Sequence, residues 1–141
     1  MKYNTIKELY TLMDDDRSDV ENIIDNIGND DFESGNYRFI KESKTLDVAI
    51  EQYENDEYML GCFNSWFISD ILDIDEDVIK AMQDTEAYEA IGKLIISLGK
   101  VENMIEEYIN TDGYGSVFGS YDGDYEEIKL DGIDYIQLRV N

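Results

Sequence analysis

The sequence has no histidine and no proline, and a single cysteine among 141 residues. Without an imidazole, Ser-His-Asp and Cys-His catalysis are excluded, as are His-ligated zinc and haem. One thiol, Cys62, excludes an intramolecular disulfide and any multi-cysteine metal site. Its neighbours in Leu60-Gly61-Cys62-Phe63 are mostly apolar, which reads as a buried structural cysteine. The stretch Met1-Lys2-Tyr3-Asn4 has no apolar signal region. The longest apolar stretch, Met59 to Leu72, is interrupted by Asn64, Ser65 and Asp70 and is too polar to span a bilayer. A soluble, cytoplasmic chain is therefore expected. Positive charge is scarce: 11 Lys and Arg face 34 Asp and Glu, a formal net charge of −23.

That charge limits the partners. Duplex DNA carries one negative charge per ~1.7 Å of axis, so 23 charges at that density run to roughly 39 Å. A compact chain of this length has an expected diameter of about 37 Å. The net charge thus suffices to match a DNA face of the protein's own length. Direct contact with nucleic acid or with an anionic membrane is disfavoured, because both repel it. Solubility alone asks for a net charge of only about 2–8 in a small domain.

Apolar residues make up 43% of the chain, enough for one core, and the length fits a single domain over 1–141. Residues 1–111 read as mainly helical. Thr5-x-x-Glu8 spells a capping box before the stripe Ile6, Leu9, Tyr10 and Met13. Ser18-x-x-Glu21 repeats it before Ile23, Ile24 and Ile27, with Gly28 as a stop. Asn29 to Asn36 reads as a loop and Tyr37-Arg38-Phe39-Ile40 as a short strand. Helices are expected over Thr45 to Tyr53, Glu57 to Leu72, Asp75 to Met82, Glu86 to Leu98 and Val101 to Ile109. The second of these, with Leu60, Phe63, Phe67 and Ile71 flanked by Met59, Cys62 and Trp66, is apolar over a wide arc and is expected at the centre of the core. From Asp112 the character changes to β-rich. The glycine-rich stretch Gly113 to Gly123 reads as turns and loops. Asp131-Gly132 between two β-prone runs spells a type I′ hairpin. The expected class is α+β, a helical body of five to seven helices with a C-terminal antiparallel meander.

Acids gather in three clusters: Asp14, Asp15 and Asp16 with Asp19 and Glu21; Asp73, Asp75, Glu76 and Asp77 with Asp70; and Asp122, Asp124, Glu126 and Glu127. Such runs are often no more than a solvated face. Asp73-x-Asp75-x-Asp77 opens like a calcium loop but has Val78 where the turn needs glycine and Asp84 where a bidentate Glu is required. No metal, cofactor or catalytic residue is assigned. Tyr114, Phe118, Tyr121 and Tyr125 sit among acids rather than among the Lys and Arg of a base-stacking surface. They suit either the packing of a small sheet or an interface that meets arginines.

The bulk charge resembles the small, acidic, histidine-poor proteins of phages and mobile elements that imitate DNA. The segment from Ile105 to Phe118, with Tyr108-Ile109 and Tyr114-Gly115, resembles the tail of ArdA-type antirestriction proteins. That match spans about 35 residues; the β-rich N-terminal part of that family is replaced here by helices. The resemblance implies a non-enzymatic inhibitor, in the host cytoplasm if phage-encoded. It would occupy the basic cleft of a host nucleic-acid-binding defence protein, a restriction enzyme or a CRISPR effector. Such inhibitors are often homodimers. Partner-binding residues would be the acids of the three clusters. Two other readings stand beside it: an acidic adaptor or antitoxin-like module docking through Phe63, Trp66 and Phe67, and a carboxylate metal-dependent enzyme.

Overall fold

A computed structural model of the chain describes residues 17–141, with side-chain environments from Val20 onward. The expected helix over residues 5–13 and the acids Asp14, Asp15 and Asp16 lie outside the described residues. Among the described residues there are seven α-helices and a four-stranded antiparallel sheet, so the class is α+β. The chain divides into two compact units. The first joins the N-terminal part up to Val48 with Asp112–Asn141, and the second is Ala49–Thr111.

The first unit is built on the sheet. Helix α1 (Arg17–Asn26) precedes strands β1 (Asp31–Ser34) and β2 (Tyr37–Lys41); β3 (Glu126–Leu130) and β4 (Ile133–Arg139) close it. The order is β1-β2-β4-β3, every neighbour antiparallel. The Asp131-Gly132 turn forms as its residues dictate, with both φ positive at 49° and 80°. The segment expected as a loop from Asn29 to Asn36 instead contains β1. Gly35, at φ 58°, and Asn36 make a two-residue turn that sets Ser34 opposite Tyr37. In Asp31-Phe32-Glu33-Ser34 the acids Asp31 and Glu33 face out in alternation with the buried Phe32 and Ser34. One face of the sheet receives Val20 and Ile23 of α1 against Phe32, Phe39, Ile128, Leu130 and Tyr135. The phenol of Tyr135 accepts from Gly28 N–H at 3.0 Å and donates to Asn29 C=O at 2.7 Å, tying off the end of α1. The opposite face carries the buried Ile40, Ile136 and Leu138. There Arg38 forms a two-pronged pair with Asp31 (2.9 and 2.8 Å) and lies 5.2 Å from the Phe118 ring centre. The bond to Asp31 raises the guanidinium pKa further.

The second unit is helical. It takes the end of α2 (Thr45–Tyr53), then α3 (Glu57–Gly61), α4 (Ser65–Leu72), α5 (Glu76–Asp84), α6 (Tyr88–Ser97) and most of α7 (Val101–Val117). The single helix expected over Glu57 to Leu72 is two, broken at Asn64, whose ψ of 139° is extended. Gln83 explains how the break is tolerated: its Nε2 donates to the carbonyls of Gly61 (3.1 Å) and Phe63 (2.8 Å). The break also turns Met59, Cys62 and Trp66 outward; all three are exposed, so Cys62 is not the buried cysteine expected. Leu60, Phe67 and Ile68 remain buried. Helices α3 and α6 meet backbone to backbone. A Cβ on Gly61 would collide with the Tyr88 carbonyl, and one on Gly92 with that of Glu57.

Helix α7 extends past the expected end at Ile109 to Val117. It is interrupted at Gly113, whose φ of 81° and ψ of 170° suit glycine. Residues 114–117, expected as loop, are therefore helical. Tyr108 and Tyr114 both pack in ring clusters. Tyr108 meets Tyr53 and Phe63 in the second unit, and Tyr114 meets Phe118 and Tyr125 in the first.

Candidate functional site

Two of the three acid clusters fall within the described residues, one in each unit. In the second unit the cluster sits on the junction between α4 and α5. Asp73 ends α4 in the left-handed region (φ 55°), a conformation Asp adopts more readily than most residues. Asp75 caps α5, its Oδ1 accepting from Asp77 N–H at 2.8 Å. Glu76 and Asp77 follow in the first turn, where acids suit the helix dipole. Glu76 is engaged by Lys80 at 3.1 Å, which raises the lysine pKa. Asp70, Asp73, Asp75 and Asp77 are exposed and make no ion pair among the described residues.

In the first unit the cluster occupies the turn before β3 and β3 itself. Gly115 lets that turn approach closely, since a Cβ there would strike the Gly123 carbonyl. The turn is knitted by its own polar groups. Asp122 Oδ1 accepts from Asp124 N–H at 3.1 Å and from Ser120 Oγ at 3.4 Å. Asp124 Oδ1 accepts from Tyr125 N–H at 2.8 Å, and Ser120 Oγ donates to Asp124 C=O at 2.8 Å. The Tyr121 N–H donates to Arg139 C=O at 2.7 Å, fixing the turn to the end of β4.

Here the surface forms an open cleft of about 210 Å³. Asp122, Asp124 and Glu126 line it with Tyr37 and Tyr125. Gln137 and Arg139 complete the lining. Glu127 is not among these residues: successive side chains on β3 point to opposite faces, and Glu127 shares its face with Ile136. Burial raises the Tyr125 phenol pKa, with the Glu127 carboxylate adding to it. Arg139 Nε donates to the main-chain oxygen of Asn141 at 2.7 Å, and its guanidinium lies 5.5 Å from the Tyr121 ring centre. It makes no ion pair with Asp122 or Asp124. Gln137 is only 6% exposed, and its Oε1 is buried without a hydrogen-bond donor among the described residues.

Gln137, Tyr37 and Arg139 are the residues that sequence reasoning passed over. Counting back from Asp131-Gly132 along an antiparallel pair places Gln137 opposite Glu126, so that neighbour was within reach. Tyr37 opposite Arg139 follows only from the β2–β4 pairing, for which no local signal exists. Among the described residues no group of three Cys, Asp or Glu side chains is arranged to hold a metal ion. No described helix is long and apolar enough to cross a membrane. No family model, curated protein or solved structure matches the chain.

Proposed function

We propose that the chain is a non-enzymatic inhibitor whose carboxylates stand in for nucleic-acid phosphates and compete for the basic surface of a nucleic-acid-binding protein. A host restriction enzyme or CRISPR effector is the kind of target that the resemblance implies. The observation that carries the reading is how the exposed acids are held. Among the described residues, Asp75, Asp122 and Asp124 are fixed by backbone N–H groups and not by cations. Their charge is therefore presented in a set position while still able to pair with an incoming Lys or Arg. Preorganised charge of this kind lowers the ordering cost of binding. The surplus negative field speeds encounter with a basic partner.

The test is capture of partners by the tagged chain from a lysate, eluted with a salt gradient in the presence or absence of duplex DNA. A nucleic-acid-binding protein released by salt and displaced by DNA is the expected result. The variant carrying Asp73→Asn, Asp75→Asn, Asp77→Asn, Asp122→Asn and Asp124→Asn keeps side chains that cap and turn as Asp does. It is expected to fold but to lose most of the binding and much of the salt dependence. Undiminished binding by that variant overturns the assignment of these acids.

A second reading rests on the exposed Tyr58 (56%), Met59 and Trp66 (50%) of α3 and α4. These side chains offer an apolar contact of the adaptor kind, although Phe67, expected to take part, is buried. That mode is insensitive to salt and indifferent to DNA, so the same elution separates the two.

A further inference from the structure

We infer that the outer edge of β3 pairs with β3 of a second copy of this chain, antiparallel and centred on Ile128. The inference rests on that strand edge and not on the phosphate-mimic reading. β3 (Glu126–Leu130) ends the strand order, and among the described residues β4 is its one strand neighbour. The two-residue Asp131-Gly132 turn makes Leu130 and Ile133 a hydrogen-bonded pair, and alternation makes Ile128 with Tyr135 and Glu126 with Gln137 the next two. The main-chain groups of Glu127 and Lys129 therefore point away from β4. Among the described residues no other backbone group bonds to them. Such a row of unmet N–H and C=O groups is a template for another strand.

The side chains at this edge select the strand. Residues directly opposite in an antiparallel pair have Cβ atoms about 4.5–5.5 Å apart, and like charges there are unfavourable. The outward positions carry one acid and one base, Glu127 and Lys129, on the same face. A basic strand would set a like charge against Lys129, and an acidic one against Glu127. The matching strand reads acid-x-base in its own direction, because antiparallel pairing reverses it. β3 is such a strand. Centred on Ile128, Glu127 of each copy meets Lys129 of the other, a two-fold contact that engages every outward group of both residues. Centring on Glu127 or on Lys129 instead sets like charges opposite. The edge at β1 shows the contrast. Its outward residues are Asp31 and Glu33, so any register that pairs them with themselves sets acid against acid. The Glu33 carbonyl there already accepts from Asn22 Nδ2 at 3.2 Å. The net charge of −23 works against association of any two copies. At physiological salt, however, the screening length is ~8 Å. The seam pairs lie within that length, and most charges of the two copies lie beyond it.

The experiment is sedimentation equilibrium of the full chain at ~0.15 M monovalent salt, with amide hydrogen exchange read at Glu127 and Lys129. A seam of five residues per copy is far smaller than a standard interface, so a dissociation constant on the order of 100 μM is expected. Exchange at the two amides should slow as the concentration rises. Glu127→Lys and Lys129→Glu, each alone, set like charges across the seam and should weaken the dimer about tenfold. Glu127→Lys also lowers the net negative charge, so a dimer opposed by bulk charge alone would tighten instead. Mixing the two variants restores opposite charges across the seam, and the mixture should associate about as tightly as the original chain. If Lys129→Glu does not fold, Glu127→Lys and the exchange rates carry the test. Four results overturn the inference: a monomer up to about 1 mM, a dimer whose Glu127 and Lys129 amides exchange as in the monomer, single variants that dimerise as well as the original, or a mixture no tighter than its parts. A lysine-rich strand peptide that protects the two amides of a chain still monomeric also overturns it, by making the edge a site for a foreign strand. None of these measurements involves a nucleic-acid-binding protein, so the phosphate-mimic reading stands or falls separately.

Discussion

Tyr53 is 5% exposed, and burial together with the neighbouring Tyr108 pushes its phenol pKa up to about 12. The neutral form is thus favoured in the folded chain, while the unfolded chain ionises near 10. The stability this provides is complete below pH 10 and is lost as the pH rises towards 12. Denaturant midpoints measured across that range should fall, and Tyr53→Phe should flatten the fall. Tyr135 contributes in another way. Its hydroxyl is bonded on both sides, to Gly28 N–H and Asn29 C=O. Removing it in Tyr135→Phe loses two hydrogen bonds to an exposed turn and should cost about 1–3 kcal/mol by chemical denaturation, at about 0.5–1.5 kcal/mol each. Neither role was legible in the sequence. Each depends on a partner brought from elsewhere in the chain.

Elements followed local chemistry where that chemistry was complete. The Asp131-Gly132 hairpin and the Gly99 stop after α6 needed no distant partner. The hairpin between β1 and β2 was spelled by Gly35-Asn36 but hidden by the polar residues around it, because Asp31 and Glu33 sit on its outward positions. The split between α3 and α4 had no local spelling, since its carbonyls are satisfied by Gln83 some 20 residues away. Gly61 and Gly92 belong with these non-local features: each is needed for what the other helix places against it. Gly92→Ala and Gly61→Ala should therefore each cost about 1–3 kcal/mol, at the upper end because the opposing atoms are backbone. A change well below that in the denaturation midpoint would mean that α3 and α6 can part without loss.

For the whole molecule the dominant fact is the net charge of −23. Among the described residues the ion pairs are few and mostly exposed, such as Lys80–Glu76 and Lys93–Glu57. They offset little of the self-repulsion. Raising the ionic strength with a monovalent salt should accordingly raise the melting temperature, as screening shortens the reach of like charges. A melting temperature that stays level or falls with salt would show that the acids are balanced locally. The sequence made the charge and the fold class legible. It placed the Asp122–Glu126 acids together but gave no sign that Tyr37 and Arg139 would join them, because the β2–β4 pairing is long-range.

That pairing also orders events in time. The bonds from Tyr135 to the end of α1 join residues 107 and 106 positions apart, and β2 has β4 as its inner neighbour. A ribosome adds about 5–20 residues per second. For several seconds of synthesis β2 waits with an open edge, while the residues of the second unit emerge and find one another. The cleft joins Tyr37 of β2 to residues of β3 and β4, so it cannot be complete before the last strands emerge. A nascent chain would thus carry most of its negative charge before its sheet is complete.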